Sequence, residues 1–201
     1  MGQGQGQEAA ARALGVVLLG LGVAFCATAQ LPNPLSVLGR VVTTTMDVRS
    51  KDEVKADTEI SAGASKRLLD DKGSEWAGVT VLVFARQVVL AGAVKTDTVK
   101  KRVEEVVRRD KNIRGLKNEL LTGDVGQLVK DTAREAEINA SLTAAKGISS
   151  VNMRWSSTGG HVVLMGVAQS QQEADAAVQK IRAIGGVKSV KSHLRVRAGK
   201  K

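Results

Sequence analysis

The side chains from which chemistry could be built are few: two histidines, one cysteine, and a large excess of lysine and arginine over aspartate and glutamate. His161 and His193 stand in no HxxxH or HExxH spacing, the arrangements that set two imidazoles on one helix face to hold a metal. The carboxylates Glu104, Glu105, Glu173 and Asp175 sit among lysines and arginines on helical stretches. They read as solvated faces, whereas acid–base catalysis needs a held pair with separated pKa values. Gly159-Gly160 and Gly185-Gly186 read as turn glycines, since no phosphate-loop or dinucleotide pattern surrounds them. The sequence therefore predicts no enzyme, no cofactor and no metal site.

Cys26 lies inside the apolar run Leu14–Ala29, which ends in the small-x-small triplet Ala27-Thr28-Ala29. That run is short of the roughly 20 apolar residues a membrane-spanning helix needs. It reads as a signal peptide over 1–29, cleaved to leave Gln30, with export to the periplasm as the consequence. The alternative is lipidation at Cys26, against which the bulky Phe25 stands where lipoprotein signals place a small residue. Cleavage after Ala29 would leave no cysteine, hence no disulfide and no thiolate ligand.

The formal net charge is +10, and its placement is the most informative feature. From Ala176 to the end of the chain there are eight basic residues and no acidic one. Strand alternation puts Val190, Leu194 and Val196 on one face, and Lys191, His193, Arg195 and Arg197 on the other. The corresponding strand earlier in the chain carries Lys117 and Glu119, which cancel. One account of the basic run is that it keeps an exposed sheet edge soluble and unpaired. The other is binding, for which an exported protein finds a natural target in anionic phospholipid headgroups.

The elements that position these residues are a duplicated unit. Asp57-Thr58 recurs as Asp131-Thr132, Leu68 as Leu142, Lys72-Gly73 as Lys146-Gly147, and Val88-Val89-Leu90-x-Gly92 as Val162-Val163-Leu164-x-Gly166. Ile113, Leu116 and Leu120 match Val187, Val190 and Leu194. An insertion after Gly166, cancelled near Gly185, is expected to restore the register. In each copy the Asp-Thr pair reads as a helix cap, with Ala64 and Leu68, or Ile138 and Leu142, on the buried side. Two strands form a hairpin, Val79–Phe84 with Gln87–Gly92 and a stretch alternating from Val151 with His161–Val167. A second helix follows, over Thr96–Arg109 and Gln171–Ile184, with stripes of Val99, Val103, Val106, Val107 and of Ala174, Ala177, Val178, Ile181. A last strand, Gly115–Leu121 or Val187–Val196, closes each unit. The fold class predicted is α+β: two tandem αββαβ modules, each a small three-stranded mixed sheet with two helices on one face. The divisions are a signal peptide over 1–29, a linker over 30–53, modules over 54–122 and 123–198, and a basic tail over 199–201.

The Asp-Thr helix, the VVL-x-G strand, the second helix and the Gly-Val-x-x-Val strand together resemble the BON domain. The second copy, with VVLMGVAQSQQEAD and GVKSVKSHLRVR, lies closer to that pattern than the first, which reads Asn112-Ile113-Arg114-Gly115-Leu116. Two such modules behind a signal peptide resemble exported envelope proteins, and the resemblance implies interaction with phospholipid. In that family an aromatic residue often follows the second Asp-Thr; here Ala133 and Arg134 stand there, so electrostatic adsorption is expected without an apolar anchor. Trp155 alternates with Met153 and reads as core. The candidate lipid-binding residues are Lys188, Lys191, His193, Arg195, Arg197 and Arg134. Association with anionic phospholipid in support of envelope integrity under stress is the leading expectation. An adaptor for another envelope or secreted protein is the rival. Nucleic acid is not expected, because stacking platforms are nearly absent.

Overall fold

The computed structural model describes residues 47–124 and 131–197. The signal peptide, most of the expected linker and the basic tail lie outside the described residues. The first helix, α1, spans Lys51–Lys72. It opens on a reciprocal pair: the Glu53 N–H donates to Ser50 Oγ at 3.2 Å and the Ser50 N–H to Glu53 Oε2 at 3.0 Å. This capping box satisfies two of the donors that a helix start leaves free. Asp57 and Thr58 therefore lie inside the helix and are not its cap, and the linker expected to reach residue 53 gives way to helix at Lys51. A 3₁₀ turn over Gly73–Trp76 leads to β1 (Val79–Phe84) and β2 (Gln87–Val94), followed by α2 (Asp97–Arg108). Thr96 Oγ1 accepts from the Val99 N–H and caps α2.

The second copy repeats the order with α3 (Thr132–Ala144), a 3₁₀ turn over Ser150–Asn152, β5 (Met153–Thr158), β6 (His161–Ala168) and α4 (Gln171–Arg182). Its last strand is β7 (Ser189–Val196). Val151 belongs to the 3₁₀ turn, so the strand alternation starts at Met153. Asp131 stands at the cap position of α3 yet makes no side-chain cap bond. Val79 and Met153, Gln87 and His161, and Asp97 and Gln171 open equivalent elements at one constant separation, the same 74 residues that separate Glu119 from His193. The expected insertion after Gly166 and its compensating deletion are thus absent.

In each copy the hairpin pairs antiparallel and the last strand, β3 (Gly115–Asn118) in the first copy, lies parallel to the second, giving orders β1-β2-β3 and β5-β6-β7. The third lane differs. In the first copy it is split into β3 (Gly115–Asn118) and β4 (Leu121–Thr122), both paired with β2, whereas β7 runs unbroken for 8 residues. Gly92 and Gly166 hold φ of +112° and +135°, and a Cβ there would collide with the carbonyl oxygens of Gly78 and Asn152. Only glycine fits that backbone, which explains its recurrence after VVL.

Both helices of each copy cover one face of its sheet. Ile60, Ala64 and Leu68 meet Val81, Leu90, Val103 and Val107 in one core, and Ile138, Leu142, Trp155, Leu164 and Ile181 build the other. Trp155 is buried there, its Nε1–H donating to the Glu135 carbonyl at 3.2 Å. The opposite sheet faces pack on each other through Leu82, Phe84, Val89 and Ala91 against Val163 and Met165. Like faces meet, and Glu119 Oε1 lies 2.9 Å from Nε2 of its own equivalent, His193. Equivalent residues in mutual contact are the mark of an isologous, two-fold-like association.

Candidate functional site

β7 is an edge strand, paired with β6 on one side. Its register sets Lys191 beside Val163, His193 beside Met165 and Arg195 beside Val167. The basic residues therefore extend the very face that the second copy turns toward the first. Lys191, Arg195 and Arg197 are exposed, the two arginines at the rim of that contact in a cleft shared with Arg49, Glu53 and Phe84, while His193 is half-buried and bonded to Glu119. Lys188 precedes the strand; its N–H donates to the Gly160 carbonyl at 2.7 Å and its side chain is exposed. From Lys188 to Arg197 the backbone runs roughly 30 Å at about 3.3 Å per residue.

Arg134 stands apart. In the first turn of α3 it pairs with Asp131 at 2.6 Å and its Nε–H approaches the Gly185 carbonyl at 3.4 Å. It closes the loop end of the second copy and does not join the face of Lys191 and Arg195. The structure thus brings Lys191 and Arg195 together, sets Lys188 and Arg197 at the two ends, ties His193 into the contact between copies and assigns Arg134 to the helix.

The recurrent aspartates hold the hairpin turns beside this edge. Asp57 accepts from the N–H groups of Ala85 at 2.7 Å and Arg86 at 2.6 Å. Asp131 accepts from the Gly160 N–H at 2.7 Å and from Ser157 Oγ at 2.9 Å. Burial alone would raise the Asp131 carboxyl; these bonds and Arg134 outweigh it and hold the group below its ordinary range. Asp57 also takes part in a buried cluster in which Arg49 bonds both Asp57 at 2.9 Å and Asp47 at 2.6 Å. Burial opposes the charge of Arg49, but its two carboxylate partners raise its pKa overall. The Arg49 guanidinium lies 4.3 Å from the Phe84 ring centroid, and Arg154 of the second copy lies 5.5 Å from it, within cation–π range. The Val48 N–H donates to Asn152 Oδ1 at 2.9 Å, so this segment also joins the two copies.

Glu173, expected on a solvated face, is buried. Its carboxylate accepts from the Ser149 N–H at 2.6 Å and the Gln169 N–H at 2.7 Å, fastening two loops around α4. The Ser170-x-x-Glu173 spacing was the available sign of this role. Among the described residues no group of three or more His, Cys, Asp or Glu is placed to hold a metal, and no helix is long and apolar enough to cross a membrane.

Comparison with known proteins matches a family model described as the BON domain twice, over residues 56–124 and 130–198. An uncharacterised protein in the gshII 5′ region of Anaplasma centrale is 31% identical over 129 residues, covering 62% of this chain and 85% of the relative. Osmotically-inducible protein Y of Escherichia coli K12 is 29% identical over 149 residues, covering 70% of this chain and 73% of the relative. Among solved structures, the C-terminal domain of CdsD, a structural protein of the type III secretion system of Chlamydia trachomatis, aligns at 18% identity with a TM-score of 0.29. The alignment covers 65% of this chain and 62% of that one, so this chain spans about three-fifths of that structure's length.

Proposed function

The chain belongs to the BON domain family, and from that premise we propose that it is a non-catalytic, exported envelope protein that adsorbs reversibly to anionic phospholipid and supports the envelope under osmotic stress. The stress component rests on 29% identity over 149 residues to a protein named as osmotically inducible. Export rests on the apolar run and Ala27-Thr28-Ala29. The observation that carries membrane adsorption is the basic edge of β7, where Lys188, Lys191, Arg195 and Arg197 are all exposed. At about 1 kcal/mol for each basic residue near an anionic surface, four contribute about 4 kcal/mol. That corresponds to a dissociation constant of order millimolar, weak enough to be reversible and open to screening by salt.

Cell fractionation with N-terminal sequencing tests export, with Gln30 as the expected terminus. Co-sedimentation of the same material with phosphatidylglycerol vesicles tests adsorption, which should fall as salt rises from about 0.05 to 0.3 M. The triple change Lys191→Glu, Arg195→Glu and Arg197→Glu should reduce binding at least tenfold. Unchanged binding would remove β7 from the site. A second reading, an adaptor for another protein, is favoured by an open groove between α4 and β7, lined among others by Ala174, Val178, Ser192 and Leu194.

A further inference from the structure

In each copy the third lane of the sheet runs alongside the second helix, and the seam between them is finished differently. In the first copy Lys100 Nζ donates to the Leu120 carbonyl at 2.6 Å. Asn118 Nδ2 donates to the Lys100 carbonyl at 3.0 Å and to Glu104 Oε2 at 3.1 Å. Long polar side chains from α2 and β3 thus fasten the seam. At the repeat's constant offset, the positions of Lys100, Glu104 and Asn118 are occupied in the second copy by Ala174, Val178 and Ser192. The smaller side chains leave an open groove of about 460 Å³ between α4 and β7, lined by these three with Leu194 and Arg182.

Beside the groove lies the outer edge of β7, where the Leu194 N–H is met by Ser192 Oγ of its own strand at 3.5 Å. The Arg197 N–H bonds the Ala168 carbonyl at 2.8 Å, so odd-numbered residues turn their peptide groups toward β6. Backbone alternation then turns those of Val190, Ser192, Leu194 and Val196 to the open side. The first copy offers no comparable edge, its third lane being broken between Asn118 and Leu121.

We infer that the edge of β7 and the α4–β7 groove form a docking site for an extended acidic segment of another protein, added as a further strand. This deepens the adaptor reading and does not depend on membrane adsorption. Strand addition supplies affinity through main-chain bonds and specificity through alternate side chains. One set of the added residues would face the groove, where Gln171, Gln179 and Ser192 stand beside Ala174, Val178 and Leu194, and asks for small uncharged side chains. The other set would lie beside Lys191 and Arg195 and asks for acids, with exposed Lys188, Arg182 and Arg197 extending the same sign. Asp175, the one acid on the groove wall, is already bonded by Gln171 Nε2 at 2.9 Å.

Charge also argues against the other occupants. A second copy pairing its own β7 would bring lysine and arginine rows together, and like charges across strands repel. The chain's residues 30–46 contain Arg40 and no acid. Basic residues on an edge discourage neutral or basic strands, and the same residues attract an acidic one.

The test uses the full chain and a fluorescent peptide of about nine residues alternating valine and glutamate, with a glutamine-for-glutamate peptide as control. The acidic peptide should bind, and the control at least tenfold more weakly. The variant Ala174→Lys, Val178→Glu, Ser192→Asn rebuilds the first copy's seam without changing net charge. It should lose peptide binding at least tenfold while retaining its sedimentation with phosphatidylglycerol vesicles. Equal peptide binding by this variant and the parent, or no binding of the acidic peptide at millimolar concentration, overturns the proposal. So does a parallel loss of vesicle binding in the refilled variant, which would make the groove a lipid contact. Whether the vesicles bind at all is scored separately, so failure of membrane adsorption leaves the peptide result readable.

Discussion

The first repeat pairs arginines with carboxylates across its own elements, and the second lines its last strand with basic residues and no acid. In the first, Arg67 pairs with Asp110, Arg102 with Asp71 and Arg108 with Glu104, while Arg49 is enclosed between Asp47 and Asp57. Its third strand is broken and stitched to α2. In the second, the equivalent strand is continuous, the seam is open, and Lys191, Arg195 and Arg197 stand exposed. One fold thus serves as a scaffold in one copy and presents an edge in the other. The difference lies in a few side chains and in the break of one strand, within a shared order of elements.

The sharpest way to break this comparison is to remove the aspartate that both copies share. Asp57→Ala would leave Arg49, whose side chain is 4% exposed, with Asp47 as its remaining carboxylate, and free the N–H groups of Ala85 and Arg86. Losing one partner of the buried cluster together with two backbone bonds costs about 3–5 kcal/mol. Asp131→Ala frees one backbone donor and a serine hydroxyl at a more open site, a loss of about 1–3 kcal/mol. Urea denaturation of the two variants measures both values. Equal losses would mean that the Arg49 cluster adds nothing to the first repeat's tighter construction.

Much of this plan was legible in the sequence, because helix stripes, hairpins and the repeat depend on local spacing. Val103, Val106 and Val107, or Ala174, Ala177 and Ile181, announce their buried sides by periodicity alone, and all are buried. Asp57 was misread because its partners are 28 and 29 residues away, and a residue bonded that far off looks locally like a cap. The start of α1, Ser50 with Glu53, is a capping pair with no counterpart in the repeat, since the second copy's helix opens at Asp131-Thr132. Glu173 was misplaced because its helix neighbours are polar, whereas the loops that bury it come from elsewhere. The groove was present in the alignment as smaller residues at the positions of Lys100, Glu104 and Asn118. Its consequence needed the knowledge that those side chains bridge α2 and β3. Alternation likewise sorted Lys191 and His193 onto one face, yet nothing local said that the first repeat would cover part of it.

A second, smaller test concerns acid. The Asp131 carboxyl is held below its ordinary value of 3.8. In that range the native state binds fewer protons than the unfolded chain, so the contribution is complete above about 3.8 and is lost as pH falls through the lowered native value. Asp131→Asn should flatten that part of the acid limb of stability, followed by circular dichroism at constant salt. The acid sensitivity contributed by Asp47 and Asp110 in the first repeat, both also held low, should persist. A limb unchanged in the variant would assign the acid response to the first repeat alone.

The hairpin turns offer a comparison in which the two copies should respond with opposite sign. Ala85 and Arg86 hold φ of 50° and 60°, where Gly159 and Gly160 hold 56° and 85°. Left-handed backbone costs a residue with a Cβ about 1–2 kcal/mol, and in the first copy the two bonds from Asp57 hold it there. Gly159→Ala should therefore destabilise by about 1 kcal/mol, and Ala85→Gly should stabilise by about 0.5–1 kcal/mol. Thermal melts of the single variants decide it; a destabilised Ala85→Gly would show that its methyl packing against the second copy outweighs the strain.

The smallest effect belongs to the contact where the copies meet as equivalents. Glu119 and His193 are 25% and 23% exposed at 2.9 Å, so water screens them and their coupling should be below about 1 kcal/mol. A double-mutant cycle with Glu119→Gln and His193→Gln isolates that term from whatever each change does alone. Its value lies in what it separates. The apolar contact of Phe84, Val89, Val163 and Met165 supplies most of the adhesion between repeats, and the polar pair serves to fix which strands face each other. A measured coupling above 2 kcal/mol would reverse that order, making an ion pair the principal tie between copies. Near or below 1 kcal/mol, Glu119 serves chiefly as the hydrogen-bond partner of His193, leaving Lys191 and Arg195 as the outward-facing basic residues of β7.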